Sequence, residues 1–71
     1  MARYQLDNRG LEPPEPMMRV LAKIAELQEG DELEVWNDRE PVYLYAKLAE
    51  RGLQHQTEIQ EDGSARILIR R

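Results

Sequence analysis

Hydrophobic and polar positions recur in two different ways along this chain, and each predicts a different kind of element. Met17, Val20, Leu21, Ile24 and Leu27 recur at helical spacing, with Arg19, Lys23 and Glu26 between them on the polar side. That pattern predicts a first helix over 14–28. Prolines lead into it, where a missing N–H costs nothing, and Gly30 suits its stop. Arg3 to Leu6 and Leu33-Glu34-Val35-Trp36 alternate with period two and read as strands. In the second of these, Leu33 and Val35 face the helices, whereas Glu34 and Trp36 face away. Leu44, Tyr45, Leu48 and Ala49 form the apolar stripe of a second helix, opened by Pro41 and ended by Gly52. A third strand over 54–60 and a fourth over 65–70 flank Glu61-Asp62-Gly63-Ser64, whose Asp-Gly centre is hairpin chemistry. The order is βαβαββ. It predicts an α+β fold, a two-layer α/β sandwich with two helices on one face of a four-stranded mixed sheet. Strands one and three are the expected edges, and either is free to pair with another copy.

Length and composition narrow the function. Seventy-one residues suit one domain spanning 1–71, with a thin stability margin. The net charge of −4 argues against a nucleic-acid partner, which demands a basic surface. With no cysteine there is no disulfide, no thiolate metal site and no thiol nucleophile. The first residues lack the apolar stretch of a signal peptide, and no run is long enough to cross a membrane. The expected location is the cytoplasm, away from membranes.

Several residues then stand out. Leu6-Asp7-x-Arg9-Gly10-Leu11-x-Pro13-Pro14-x-Pro16 resembles the N-terminal signature of the TusA/SirA-like sulfur carriers: an Asp, a Gly-Leu pair, then Cys-Pro-x-Pro opening the first helix. Glu40-Pro41 stands where that family has Asp-Pro, and Ile69-Arg70-Arg71 is similar to its usual ending. The resemblance spans nearly the whole chain and implies the same βαβαββ fold. The persulfide-carrying Cys of those carriers is Pro13 here, so the resemblance also implies that no sulfane sulfur is held. It points to an uncharacterised Cys-less bacterial branch, whose members occur alone or joined to other domains, some hemerythrin-like. Restoring a cysteine at position 13 is not expected to restore transfer, because Glu12 and Glu15 would raise the thiol's pKa.

The candidate sites are few. Glu12, Pro13, Pro14, Glu15 and Pro16 form either a rigid knob for a partner or a scaffold that fixes the start of the first helix. Glu12 and Glu15 there add about 0.3–1 kcal/mol each at the positive helix end and repel anions. Arg9 and Arg39 either fork onto a carboxylate or small anion, or pair with Asp7, Asp38 or Glu12. Asp7, Glu12, Glu15, Asp38 and Glu40 suit a hard cation by type, although salt-bridged scaffolding accounts for them as well. His55 alone builds no metal site, and no cofactor is expected. Ser64 has no base pattern beside it. Trp36, with Glu34 and, from strand four, Arg66, Leu68 and Arg70, has the composition of a binding hot spot; a flat shield over the sheet is the other reading. The expected function is non-enzymatic: a protein-binding or regulatory module. The alternatives are a small-molecule, anion or metal site, and an RNA-binding sheet, which the resemblance of such sandwiches to an initiation-factor domain keeps open.

Overall fold

The computed structural model describes residues 1–71. Its elements are β1 (Arg3–Asp7), α1 (Glu15–Ile24), β2 (Glu32–Asn37), α2 (Val42–Glu50), β3 (Gln54–Ile59) and β4 (Ala65–Arg70). The strands form one sheet in the order β1-β2-β4-β3. β1 and β2 are parallel, joined by α1 as such a pair requires. β4 runs antiparallel to both of its neighbours. The two-layer βαβαββ sandwich is therefore the one expected.

Packing follows from the alternation. Leu33 and Val35 of β2, and Ala65, Ile67 and Ile69 of β4, are fully buried beneath the helices. Val20, Ile24 and Leu27 close over them from the α1 side, and Leu44, Leu48 and Leu53 from the α2 side. Tyr4 and Leu6 join from β1. Burying each of these aliphatic side chains contributes about 1.5–3 kcal/mol against the entropy of ordering the chain.

Three expectations need correction. α1 ends at Ile24 rather than Gln28. Glu26 N–H bonds to Lys23 and Leu27 N–H to Ile24, which tightens the last turn, and Gln28 N–H turns to Asp31 Oδ2 at 2.9 Å. Leu27 keeps its place in the core because that turn still aims it inward. Pro41 precedes α2 instead of opening it, and Ala49 lies exposed because the buried stripe runs through Leu44 and Leu48 alone. The turns behave as their residues predict. Gly52, at φ 70°, ends α2, and Gly63, at φ 89°, sits in the β3–β4 hairpin, conformations that favour glycine.

Two buried polar residues hold the connections. Asp31 accepts N–H groups from Ala2 (2.8 Å) and Gln28, and also the amino group of Met1. Those donors hold its carboxyl down to about 2. Asn8 donates from Nδ2 to the Pro16 carbonyl and accepts from Arg19, tying the end of β1 to the first turn of α1. Neither residue belongs to a periodic pattern, so the apolar spacing of the sequence carries no sign of them.

Candidate functional site

β1 and β2 both run toward the helix N-termini, so the loops after them meet at one end of the sandwich. The result is a groove of about 540 Å³. Its floor and walls are Leu11, Pro13, Pro14, Pro16 and Met17 on the α1 side, and Pro41, Val42 and Tyr43 on the α2 side. Val42 is 55% exposed and Tyr43 82%. Sequence reasoning missed this pair. Both lie off the buried stripe of α2, and only the fold shows that they face the proline lead-in of α1.

The groove's polar rim is acidic. Asp38 and Glu40 line it, and Glu12 and Glu15 flank the lining prolines in sequence. Asp38 accepts the Gly10 N–H at 2.9 Å, and Glu40 accepts the Tyr45 hydroxyl at 3.0 Å. Arg39 is the single basic residue of the lining and makes no ion pair. Asn37 also lines the groove, and its buried Oδ1 has no hydrogen-bond partner. The five acids do not converge: Asp7 goes to Arg9, Asp38 to a backbone amide and Glu40 to a tyrosine. No group of three or more acids and histidines is arranged to hold a metal ion.

Arg9 and Arg39 do not act on one point. Arg9 grips Asp7 through two bonds, Nε to Oδ1 at 3.0 Å and Nη2 to Oδ2 at 2.9 Å. Its hydrogen bonds hold the Asp7 carboxyl down to about 2. The same guanidinium lies 5.0 Å from the centre of the Trp36 ring, a cation–π contact.

Trp36 is on the open sheet face, as its alternation predicts, but it is half-buried rather than free. Across the sheet it meets Arg66, while Glu34 meets Leu68 and Glu32 meets Arg70. Glu34 lies on this face as expected, but it is only 7% exposed although no helix covers it. Its long neighbours bury it. Arg66 Nε bonds one carboxylate oxygen, Gln5 Nε2 the other at 2.9 Å, and Arg3 lies within ion-pair reach. Burial pushes the Glu34 carboxyl up, but the Arg66 bond and charge outweigh it and hold the group below its ordinary value. Glu32 is paired likewise with Arg70 at 2.7 Å.

The remaining singled-out residues are structural in their contacts. His55 stacks on Tyr45, with ring centres 4.3 Å apart. Ser64 donates its hydroxyl to Asp62 in the hairpin turn.

Comparison with solved structures finds the same architecture in the SirA-like protein of Desulfitobacterium hafniense, with a TM-score of 0.81 over 93% of both chains at 23% identity. The fold is thus TusA/SirA-like, as the sequence signature implies. No curated protein matches the chain. A family described as "Uncharacterized conserved protein (DUF2249)" matches residues 5–71. That match takes in both helices, all the sheet but the start of β1, and the whole groove, and the chain belongs to the DUF2249 family.

Proposed function

We propose that this protein is a non-enzymatic docking module whose working surface is the groove at the start of the two helices. The observation that carries the reading is apolar area left open there, with Val42 and Tyr43 exposed beside Leu11, Met17 and four prolines. Apolar clusters of this kind mark interaction sites. The acidic rim favours one sort of occupant, a segment of a partner protein with apolar side chains flanked by Lys or Arg, because complementary charge steers and registers such a segment. Pro13, standing where the sulfur carriers have their cysteine, supports assigning the chain to a Cys-less branch that docks without transferring sulfur. In this reading the protein works in the cytoplasm, and in bacteria as the resemblance implies. The RNA alternative gains little from Trp36, whose ring already carries Arg9.

A pair of peptides tests it. Both share an apolar centre; one has basic flanks, the other acidic. Titrating each into isotope-labelled protein should shift the amides of Leu11, Met17, Val42 and Tyr43 with the basic peptide only. If neither peptide moves them, or the acidic one binds as well, the reading fails.

One observation favours a second reading. The groove falls within the about 300–1,000 Å³ range of small-ligand sites, with Arg39 and Glu40 as polar groups among its apolar lining. A thermal-shift screen of metals, nucleotides and anions separates the two. A ligand at about 100 times its dissociation constant adds about 2.7 kcal/mol, and a flat screen returns the weight to the peptide.

A further inference from the structure

The sheet has two free edges, and they are built differently. The β1 edge is guarded by charge. Arg19 reaches over from α1 to the Asp7 carbonyl at 3.2 Å, Arg9 holds the Asp7 carboxylate, and Lys23 covers the Tyr4 ring at 4.4 Å. Charged side chains of this kind blunt an edge against pairing. β3 is Gln54-His55-Gln56-Thr57-Glu58-Ile59, with a single acid and no Lys, Pro or Gly.

The direction of the free backbone groups on β3 follows from its ladder. In an antiparallel pair, alternate residues turn toward the neighbouring strand. Gln60 N–H donates to Ser64 at 2.8 Å across the hairpin. Glu58, Gln56 and Gln54 therefore turn toward their partners Arg66, Leu68 and Arg70. The N–H and C=O groups of His55, Thr57 and Ile59 turn outward, and no backbone hydrogen bond from outside the sheet meets them.

We infer that β3 pairs with β3 of a second copy of this chain, antiparallel, about a two-fold axis through Thr57. Every outward N–H and C=O then finds a partner, because His55 lies opposite the partner copy's Ile59 and Thr57 opposite the partner copy's Thr57. On the open face, Gln56 lies opposite the partner copy's Glu58. The one acid of the strand thus meets an amide that can donate to it, and never another carboxylate. On the helix side, Ile59, 52% exposed in one copy, is covered by the partner copy's His55, whose ring is already fixed by Tyr45. Moving the axis to His55 sets the two imidazoles against each other and leaves Ile59 open. A pairing this short buries less than the roughly 1,200 Å² at which standard interfaces begin, so the dimer is concentration-dependent.

Sedimentation equilibrium from micromolar to millimolar protein tests this with two variants at the exposed position 56. Gln56→Glu sets carboxylate against carboxylate twice per dimer, and Gln56→Lys sets ammonium against carboxylate twice. The dimer dissociation constant should rise for the first and fall for the second, each by about 2- to 30-fold. Amide exchange at His55, Thr57 and Ile59 should slow as protein concentration rises. A chain that stays monomeric throughout in all three forms overturns the inference. So do two variants that shift the constant in the same direction.

Discussion

The open sheet face and the helix-start groove were the two candidate working surfaces, and they differ in how much of their chemistry is already spent within the chain. On the sheet, Glu34 has Arg66 and Gln5, Glu32 has Arg70, and Trp36 has Arg9. In the groove, Val42 and Tyr43 stand open, Arg39 has no ion pair, and the Asn37 oxygen has no donor. A residue's type makes it look functional, but its free valence decides. Trp and Arg dominate binding hot spots when a partner completes them, and here they complete each other.

The largest expected effect separates the surfaces outright. Tyr43→Asp should weaken binding of the basic-flanked peptide by about 30-fold or more, the roughly 2 kcal/mol of a hot-spot residue. It should leave stability within about 0.5 kcal/mol, because the side chain is exposed. Trp36→Ala should do the reverse. It should cost about 1–2 kcal/mol, part of the roughly 3–5 of a core aromatic, with peptide affinity unchanged. Chemical denaturation and a binding titration on both variants give the four numbers. Loss of affinity in Trp36→Ala at full stability would break the comparison.

Next is Glu34→Ala. Arg66 and Gln5 lose their common, nearly buried acceptor; because both donors still reach water, the cost stays in the lower part of the roughly 1–3 kcal/mol of a removed partner, at about 1–2 kcal/mol. In a domain of this size that lowers the thermal midpoint by roughly 4–16 °C. A calorimetric scan that shows no change would mean water replaces the carboxylate freely and the face is less closed than its geometry implies.

The sequence foreshadows the sheet better than the groove, for a physical reason. Period-two spacing fixes which face Leu33, Val35, Ile67 and Ile69 take, and the buried set agrees residue by residue. The same alternation puts Trp36 and Glu34 on the open face. It also brings Arg66 of β4 to that face, but it does not show how closely Arg66, Gln5 and Arg3 close around Glu34, nor Arg9, which arrives from the loop after β1. Glu34 becomes buried only through that meeting. The proline lead-in stands out in the sequence as either a rigid knob or a helix-start scaffold, and in the fold it lines one wall of the groove. Its other wall, Val42 and Tyr43, sits on the face of α2 that helical periodicity assigns to solvent. The end of α1 was overread because Leu27 keeps the apolar spacing after the helix has tightened into a turn.

Acid should loosen the hydrogen-bonded carboxylates of the loops and strand ends first. Asp31 titrates at about 2 in the fold against an ordinary 3.8, and Asp7 is held as low. A depressed carboxyl stabilises the fold at every pH above its unfolded value and loses that contribution as pH falls through the folded one. Stability should therefore be level above about pH 5 and decline from 3.8 toward 2. In Asp31→Asn the decline should be shallower and should start from a lower plateau. Denaturation midpoints measured across that range would reject the assignment if the variant fell as steeply as the parent.

The smallest effect tests the sign of the groove. Arg39 is exposed and unpaired, so Arg39→Glu should leave stability within about 0.5 kcal/mol. It removes the one basic side chain from an acidic rim and adds a carboxylate. A basic-flanked peptide should then bind about two- to five-fold tighter, the value of a surface ion pair of up to 1 kcal/mol. The gain should come through the association rate and fade with salt, because charges in such rims are screened over a Debye length of about 10 Å at 0.1 M. An anion occupying the groove through Arg39 requires the opposite, a loss of binding on the same substitution. The direction of that change therefore decides between a basic protein segment and an anionic ligand, even where its size is modest.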